Sequence, residues 1–385
     1  MLRDTQGVTS NPVVLPMPLV SVVGRMNGRL TCEEIAREAS IELREKVSVD
    51  VVVRLAGELE EALFVDGAPY KRERARIERE FAEAQMRPAS HAGGAYHGDP
   101  RKLADYIERD CLGARPKTNG HKTNGHRLVG LVAPHIDPWR GARCYGHAYG
   151  ALEHALPAST DTFVLFGTSH APMREPFALC RKGFATPLGA VEADLQAIDE
   201  IASACDFDPY ADQFNHKREH SLEFQAVFLR HMLGRRPARI IPILAGLGDH
   251  QSSGRSPRSA RSVERFLDAV RKVIEDKGAV VIAGADLAHV GPRFGDPRPF
   301  DEGERRALDE TDRASLDRAE EVDAEGFWDH VAGDLDTRRV CGLAPIYSLL
   351  RTITPSAKGR VEHYEQTVDP EEGSIVSHAA VGFYV

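Results

Sequence analysis

From Arg127 onward, the sequence repeats one pattern: a short apolar run, a polar stop and then a helical stretch. The apolar runs are RLVGLVAP, TFVLFGTS, RIIPILAG and AVVIAGADL. Each run is continuous and bounded by turn-forming residues, as strands buried on both faces are. Strands that alternate with helices in this way form a mostly parallel sheet covered by helices on both faces. We therefore predict an α/β fold for this part of the chain.

The first 86 residues show a different pattern. Thr31 and Glu34 form a capping-box motif at the start of one predicted helix, and residues 49–67 predict a second helix. We predict a small helical or winged-helix-like domain over residues 1–86, followed by an α/β domain over residues 87–385.

A tandem KTNGH repeat lies inside the second predicted domain. It contains turn-forming residues and no apolar residue, so it predicts a flexible loop over residues 112–126. Because a loop of this composition has no means of fixing imidazoles in place, we do not expect His121 and His126 to bind a metal.

Charge and hydropathy exclude several classes of partner. The formal net charge of -9 opposes binding to nucleic acid or to an anionic membrane surface. No apolar run approaches the roughly 20 residues that span a bilayer, and the amino terminus lacks the apolar core of a signal peptide. The six cysteines are scattered without a CxxC spacing, which favours neither a disulfide framework nor a zinc knuckle. We expect a cytoplasmic protein whose ligand is a small molecule or a peptide.

Three histidines follow predicted strands. His135 comes after the first strand, His170 after the second and His289 after the fourth. The carboxyl ends of parallel strands form the crevice in which α/β proteins bind their ligands. A single histidine in such a place is commonly a loop residue, but three at equivalent positions indicate a functional site.

Two further residues belong to the same candidate site. His220 and Glu223 are three positions apart, so on a helix they share one face and suit an acid/base pair or an imidazole with a supporting carboxylate. The alternative is an ordinary helix N-terminus with Ser221 near its cap. The sequence leaves both interpretations open.

Cys341 differs chemically from the other cysteines. It lies at the start of an apolar helix, with Arg338 and Arg339 shortly before it. A helix N-terminus and neighbouring guanidinium groups both favour thiolate over thiol, so we predict a reactive or metal-binding sulfur. The alternative is a small buried hydrophobic residue.

These motifs together resemble the Memo family, called AmmeMemoRadiSam system protein B in prokaryotes. The resemblance runs from about residue 90 to residue 385 and rests on seven segments in the family's order: HAGGAYHGDP, APHIDPWRG, FGTSHAP, EHSLEFQ, GADLAHVGPRFGD, CGLAPIYSLL and SHAAVGFYV. It implies a fold similar to that of class III extradiol dioxygenases. It also implies metal ligands at His135, His170 and Cys341, and a pocket lined by three more residues, Asp286, His289 and His220.

The chain departs from the family pattern next to the first histidine. Members commonly have Ala-Gly-Tyr there, whereas this chain has Ile136, Asp137 and Pro138 before Trp139. The departure changes the shape and charge of the pocket, and we expect Asp137 and Trp139 to contact the substrate.

The leading functional prediction is a mononuclear, dioxygenase-like redox enzyme. Two imidazoles and one thiolate can hold iron or copper while leaving positions for other ligands. His289 or His220 would transfer protons, Asp286 would fix the tautomer of an imidazole, and Glu223 would support the pair.

Two alternatives keep the same residues in other roles. In the first, Cys341 is a nucleophile activated by His289 or His220 in a metal-independent hydrolase or transferase. In the second, the protein is a metal-binding scaffold that works with a radical SAM partner, as the family name implies.

Overall fold

In a computed structural model of the chain, all residues are described except 3, 5, 6, 10, 115–125 and 334. The chain divides into two compact units, Met1–Ala84 and Gln85–Val385. The boundary lies two residues before the one that the sequence suggests. Among the described residues, no helix is both long enough and apolar enough to cross a membrane.

The first unit is helical. Its helices are α1 (Met17–Val23), α2 (Cys32–Leu43), α3 (Val49–Glu61) and α4 (Ala68–Glu83). The capping box at the start of α2 is present: Thr31 Oγ1 accepts from the Glu34 amide at 3.3 Å, and a Glu34 carboxylate oxygen accepts from the Thr31 amide at 2.8 Å. In the described part of this unit, β pairing is limited to one bridge between Leu2 and Val13, so the unit has no β-hairpin wing there.

The second unit is built on one sheet of 11 strands, counted over its described residues. The strands are β1 (Met86–Arg87), β2 (Leu128–Ala133), β3 (Thr162–Thr168), β4 (Phe177–Leu179), β5 (Gly183–Thr186), β6 (Gly189–Ala193), β7 (Arg239–Ala245), β8 (Val280–Gly284), β9 (His289–Val290), β10 (Lys358–Val368) and β11 (Ile375–Tyr384). Their order is β1-β5-β6-β7-β3-β8-β2-β11-β10, while β4 pairs with β7 and β9 with β11. The five central strands, β6-β7-β3-β8-β2, are parallel to their neighbours within this group.

Helices cover this sheet, and the buried apolar residues of sheet and helices form two large clusters. They are α5 (Pro100–Tyr106), α6 (Pro138–Ala155), α7 (Leu195–Ala204), α8 (His220–Leu233), α9 (Gly248–Ser253), α10 (Arg261–Lys277), α11 (Glu302–Glu320), α12 (Ala324–Ala332) and α13 (Leu343–Thr352). A π-helical turn (Ile107–Cys111) and a 3-10 turn (Leu112–Ala114) continue α5.

The predicted α/β class is confirmed, since the four predicted apolar runs form β2, β3, β7 and β8. The sequence pattern does not predict the antiparallel pair β10 and β11, because β11 is buried almost throughout and lacks the alternation of a one-sided strand. The predicted loop over residues 112–126 lies mainly outside the described residues. Its first three residues form a 3-10 turn with Leu112 buried.

Candidate metal centre at the strand ends

Three polar side chains lie two residues beyond the ends of three neighbouring strands. His135 follows β2, His170 follows β3 and Asp286 follows β8. These strands are adjacent and parallel in the sheet order β3-β8-β2, so their carboxyl ends share one edge. The repeat of strand and stop in the sequence therefore brings the three side chains to one place.

Two glycines let helix α8 approach this edge closely. A Cβ atom on Gly284 would lie 2.2 Å from the carbonyl oxygen of Ser221, and one on Gly167 would lie 2.5 Å from the Ser221 hydroxyl oxygen. The Ser221 hydroxyl donates to the carbonyl of Thr168 at 2.8 Å. Because no side chain separates strand from helix here, the first turn of α8 and the preceding Glu219 reach the strand ends.

His135, His170 and Cys341 converge. One donor atom from each lies within 4.8 Å of the others. The Cys341 sulfur lies 3.2 Å from Nε2 of His135, and the ring centroids of His135 and His170 are 5.2 Å apart. One ion can therefore contact all three side chains after small adjustments.

Hydrogen bonds fix the tautomers of both imidazoles. Nδ1 of His135 lies 2.9 Å from the carbonyl oxygen of Gly284, which can only accept, so Nδ1 carries the proton. Nδ1 of His170 lies 3.0 Å from a carboxylate oxygen of Glu219. In the neutral imidazoles, both Nε2 atoms are left with a lone pair, which is the form that binds a metal.

Asp286 does not have the predicted role of fixing a tautomer. Its carboxylate accepts from the backbone amide of His135 at 2.8 Å, and the nearest approach to His135 Nε2 is 3.7 Å. The tautomer of His135 is set by Gly284 instead. Asp286 therefore fixes the backbone on which the imidazole stands.

A second possible ligand set shares His170. It consists of His170, Glu219 and His220, whose donor atoms also lie within 4.8 Å of one another. The His220 ring stacks on that of His170 with centroids 4.6 Å apart, and its Nδ1 lies 3.3 Å from Glu219. Sequence reasoning missed Glu219, although the signal was available: it directly precedes His220 in the motif EHSLEFQ.

Glu223 is not a partner of His220, which was one of the two interpretations that the spacing left open. Its fully buried carboxylate forms an ion pair with Arg87 and accepts from the hydroxyl of Tyr96. Nδ1 of His91 lies 2.9 Å from the same carboxylate. Burial raises the pKa of Glu223, but the hydrogen bond from His91 and the Arg87 charge outweigh it and lower the pKa to about 2. Glu223 therefore anchors residues 87–96 to α8.

The predicted role of the two arginines is also wrong. Arg338 pairs with Asp312 at 2.7 Å, and Arg339 pairs with Asp296 at 2.9 Å. Both guanidinium groups thus form ion pairs with aspartates rather than with the thiol of Cys341. Burial and the charge of Asp286 raise the pKa of Cys341 well above its ordinary value, so the free protein favours the thiol.

The pKa values of the histidines near the site bear on the prediction that His289 or His220 transfers protons. Burial lowers the pKa of His220 to about 3, and burial also lowers the pKa of His289. His220 therefore lacks the pKa near neutral pH that a proton-transfer role predicts for the metal-free protein. For His170, burial lowers the pKa, but the hydrogen bond and charge of Glu219 outweigh it and raise the pKa.

His289 lies in the short strand β9, with its ring 5.0 Å from that of Phe294. Asp137 and Trp139 lie at the start of α6. Asp137 is the N-cap residue, accepting from the Arg140 amide. The Trp139 indole donates to the Gly94 carbonyl at 3.1 Å. Neither Asp137 nor Trp139 lines the cavity described next.

A cavity of about 580 Å³ opens beside His170 and Cys341. Its other walls come from residues 168–176 after β3 and residues 245–251 after β7. The volume is in the range of small-molecule sites. His250 lies in this wall, and its Nδ1 is buried without a hydrogen-bond partner in the described structure.

Known proteins resemble the chain over this whole region. A family model described as Memo-like protein matches residues 87–382. A MEMO1 family protein of Aquifex aeolicus is 24% identical over 387 residues, covering 100% of this chain and 96% of the relative. The MEMO1 family protein TTHA0924 of Thermus thermophilus is 30% identical and covers 70% of this chain and 74% of the relative. The motifs that hold the candidate ligands all lie within the matched residues.

Proposed function

This chain belongs to the Memo family, and within that family we propose that it is a mononuclear metal-dependent redox enzyme, dioxygenase-like, that uses iron or copper on a small molecule. His135, His170 and Cys341 would hold the ion. The observation that carries the proposal is the convergence of these three donors, of which His170 and Cys341 line a cavity.

The donor set fits the proposed metals. Imidazole nitrogen suits iron and copper, and thiolate sulfur favours soft or borderline ions over magnesium and calcium. In the neutral imidazoles both Nε2 atoms carry lone pairs, and binding also requires that Cys341 lose its proton. A bound iron or copper ion would supply one-electron redox chemistry, which no side chain at this site supplies alone.

The remaining residues would orient the metal ligands and form the substrate cavity. Glu219 holds Nδ1 of His170 and so aims Nε2 at the cavity side. Asp286 fixes the backbone of His135. The substrate would enter the cavity between residues 168–176 and 245–251.

Elemental analysis tests the proposal directly. Protein purified without oxygen should contain about one iron or copper ion per chain, and Cys341→Ala should contain much less. Cys205→Ala is the matched control, because Cys205 is also a partly buried cysteine and is distant from Cys341 in sequence. It should retain the ion. Substoichiometric metal in all three proteins after anaerobic reconstitution with either ion would overturn the proposal.

One contact favours a second candidate function. The 3.2 Å approach of the Cys341 sulfur to His135 Nε2 is also the geometry of a thiol next to a general base. In that case the protein would be a metal-independent hydrolase or transferase. Partnership with a radical SAM protein stays a hypothesis based on the family resemblance.

Alkylation separates the two candidates. If Cys341 is a nucleophile, iodoacetamide should abolish activity while chelators leave activity unchanged. If it is a ligand, chelators should abolish activity, and prior loading with metal should protect Cys341 from alkylation.

A further inference from the structure

Asp312 is a buried carboxylate on α11, outside the candidate ligand sets. It is fully buried, and its oxygens accept three hydrogen bonds. Arg338 Nη1 donates to Oδ1 at 2.7 Å, while the Tyr364 hydroxyl at 2.9 Å and the Ser377 hydroxyl at 2.5 Å donate to Oδ2. A cation and two hydroxyls therefore satisfy this carboxylate away from water.

The first of these partners lies on the segment that carries Cys341. Arg338 is three residues before Cys341, and its carbonyl oxygen accepts from the His289 amide at 2.8 Å. Its second guanidinium nitrogen donates to Ser315 at 3.2 Å. The arginine therefore ties residues 335–341, which we call the thiol segment, to α11.

The second partner lies against the segment that carries Asp286. The Ser377 hydroxyl accepts from the Ala288 amide at 2.9 Å, and its carbonyl oxygen accepts from the Leu287 amide at 2.7 Å. Leu287 and Ala288 follow Asp286 directly. One carboxylate thus joins the thiol segment and the segment after β8.

The thiol segment needs such support. Leu335, Asp336 and Arg339 have φ angles of 59°, 53° and 53°, in the left-handed region that residues with a side chain rarely adopt. Conformations of this kind persist where surrounding contacts over-determine them. The Asp336 carboxylate accepts from the Val340 amide at 2.7 Å, but that contact is within the segment. Arg338 supplies a long-range anchor to Asp312, in addition to the contacts of Val340 with Gln251 and of Arg339 with Asp296.

We propose that Asp312 is a positioning residue that holds the Cys341 sulfur beside His135 Nε2. It acts through Arg338 and Ser377, and none of its hydrogen bonds goes to a candidate ligand. The inference concerns the proposed metal centre, but it is tested on the thiol itself in metal-free protein.

The test measures the rate at which iodoacetamide modifies Cys341, by mass spectrometry of the peptide, in chelator-treated full-length protein. In Asp312→Asn, Arg338 loses its counter-charge and the segment is released. The rate at Cys341 should rise on the order of tenfold, because local opening further exposes its partly buried sulfur. The rate at Cys205 in the same sample should change less than about twofold.

Asp194→Asn is the matched control. Asp194 is also a buried aspartate in an ion pair, with Lys277 at 2.9 Å, but it caps α7. It should lower the melting temperature without raising the rate at Cys341. If both variants raise that rate in proportion to their loss of stability, Asp312 has only a general structural role and the inference is overturned.

A milder variant keeps the test informative if Asp312→Asn does not fold. Arg338→Lys retains a cation for Asp312 but cannot also reach Ser315 with a second nitrogen. It should raise the Cys341 rate by a smaller factor, and an unchanged rate would contradict the inference. If no variant binds metal but the rates still change as expected, the proposed function fails while the positioning role stands.

Discussion

The sulfur of Cys341 lies 3.2 Å from Nε2 of His135, although 206 residues separate them along the chain. Asp286 explains how they meet. Its carboxylate accepts from the His135 amide at 2.8 Å, and its carbonyl oxygen accepts from the Gly342 amide at 3.0 Å. One residue at the end of β8 therefore fixes the backbones on both sides of the contact.

Removing the carboxylate behind His170 should weaken metal binding. Glu219→Ala takes away the acceptor for Nδ1, so the ring can rotate and change tautomer. We expect a loss of about 10- to 100-fold in affinity for the ion, measured by competition with a chelating dye. Glu219→Gln keeps one acceptor oxygen and should lose less. Equal affinity of wild type and both variants would contradict this role for Glu219.

Glu223 should matter for stability rather than for the centre. Glu223→Gln leaves Arg87 buried without its counter-charge, which typically costs about 3–5 kcal/mol of unfolding free energy. Urea unfolding of wild type and variant measures this difference in unfolding free energy. Glu275→Gln, an exposed change on α10, should stay within about 0.5 kcal/mol. A loss of activity without loss of stability would instead support the catalytic role that the spacing suggested.

His216 should make the fold sensitive to acid. It is fully buried, and burial lowers its pKa from 6.5 to about 4. Between these values the unfolded chain binds a proton that the folded chain does not, so stability falls as pH drops from 6.5 to 4. The loss should be about 3 kcal/mol relative to His216→Gln, compared by urea unfolding near neutral pH and at two acidic pH values within that window. If the unfolding free energy of both proteins depends on pH in the same way, the acid sensitivity does not come from His216.

Gly284→Ala should disturb both the fold and the centre. The added Cβ would meet the Ser221 carbonyl, which must move away together with the first turn of α8. We expect a loss of about 1–3 kcal/mol in unfolding free energy and weaker metal binding. Gly248→Ala is the control, since none of the described residues comes within 4 Å of its Cβ position. It should be close to neutral, and a neutral Gly284→Ala would show that α8 is not held against the strand.

The start of the second unit should be sharply defined. A chain that begins at Gln85 keeps Arg87, which bonds to the Glu219 carbonyl at 2.8 Å and pairs with Glu223. It should unfold cooperatively and bind metal like the full chain. A chain that begins at Pro88 lacks that anchor and should be less stable by about 3 kcal/mol or more. Circular dichroism during thermal unfolding measures both, and equal melting temperatures would contradict the role of Arg87.

The sequence by itself determined the parallel sheet and the residues at its edge. Short apolar runs with polar stops are local patterns, and parallel strands bring their carboxyl ends together whatever the rest of the chain does. His135 and His170 could therefore be assigned to one site from the sequence alone. The family motifs added Cys341, which has no strand of its own.

Only the tertiary structure decided which charged groups are partners. Glu219 rather than Glu223 contacts His220, and Arg338 pairs with Asp312 rather than with the thiol. These choices depend on how closely α8 approaches Gly284 and on segments that are far apart in sequence. A buried charge takes whichever partner the packing brings within hydrogen-bond distance, because leaving it unpaired costs more than any local preference can offset.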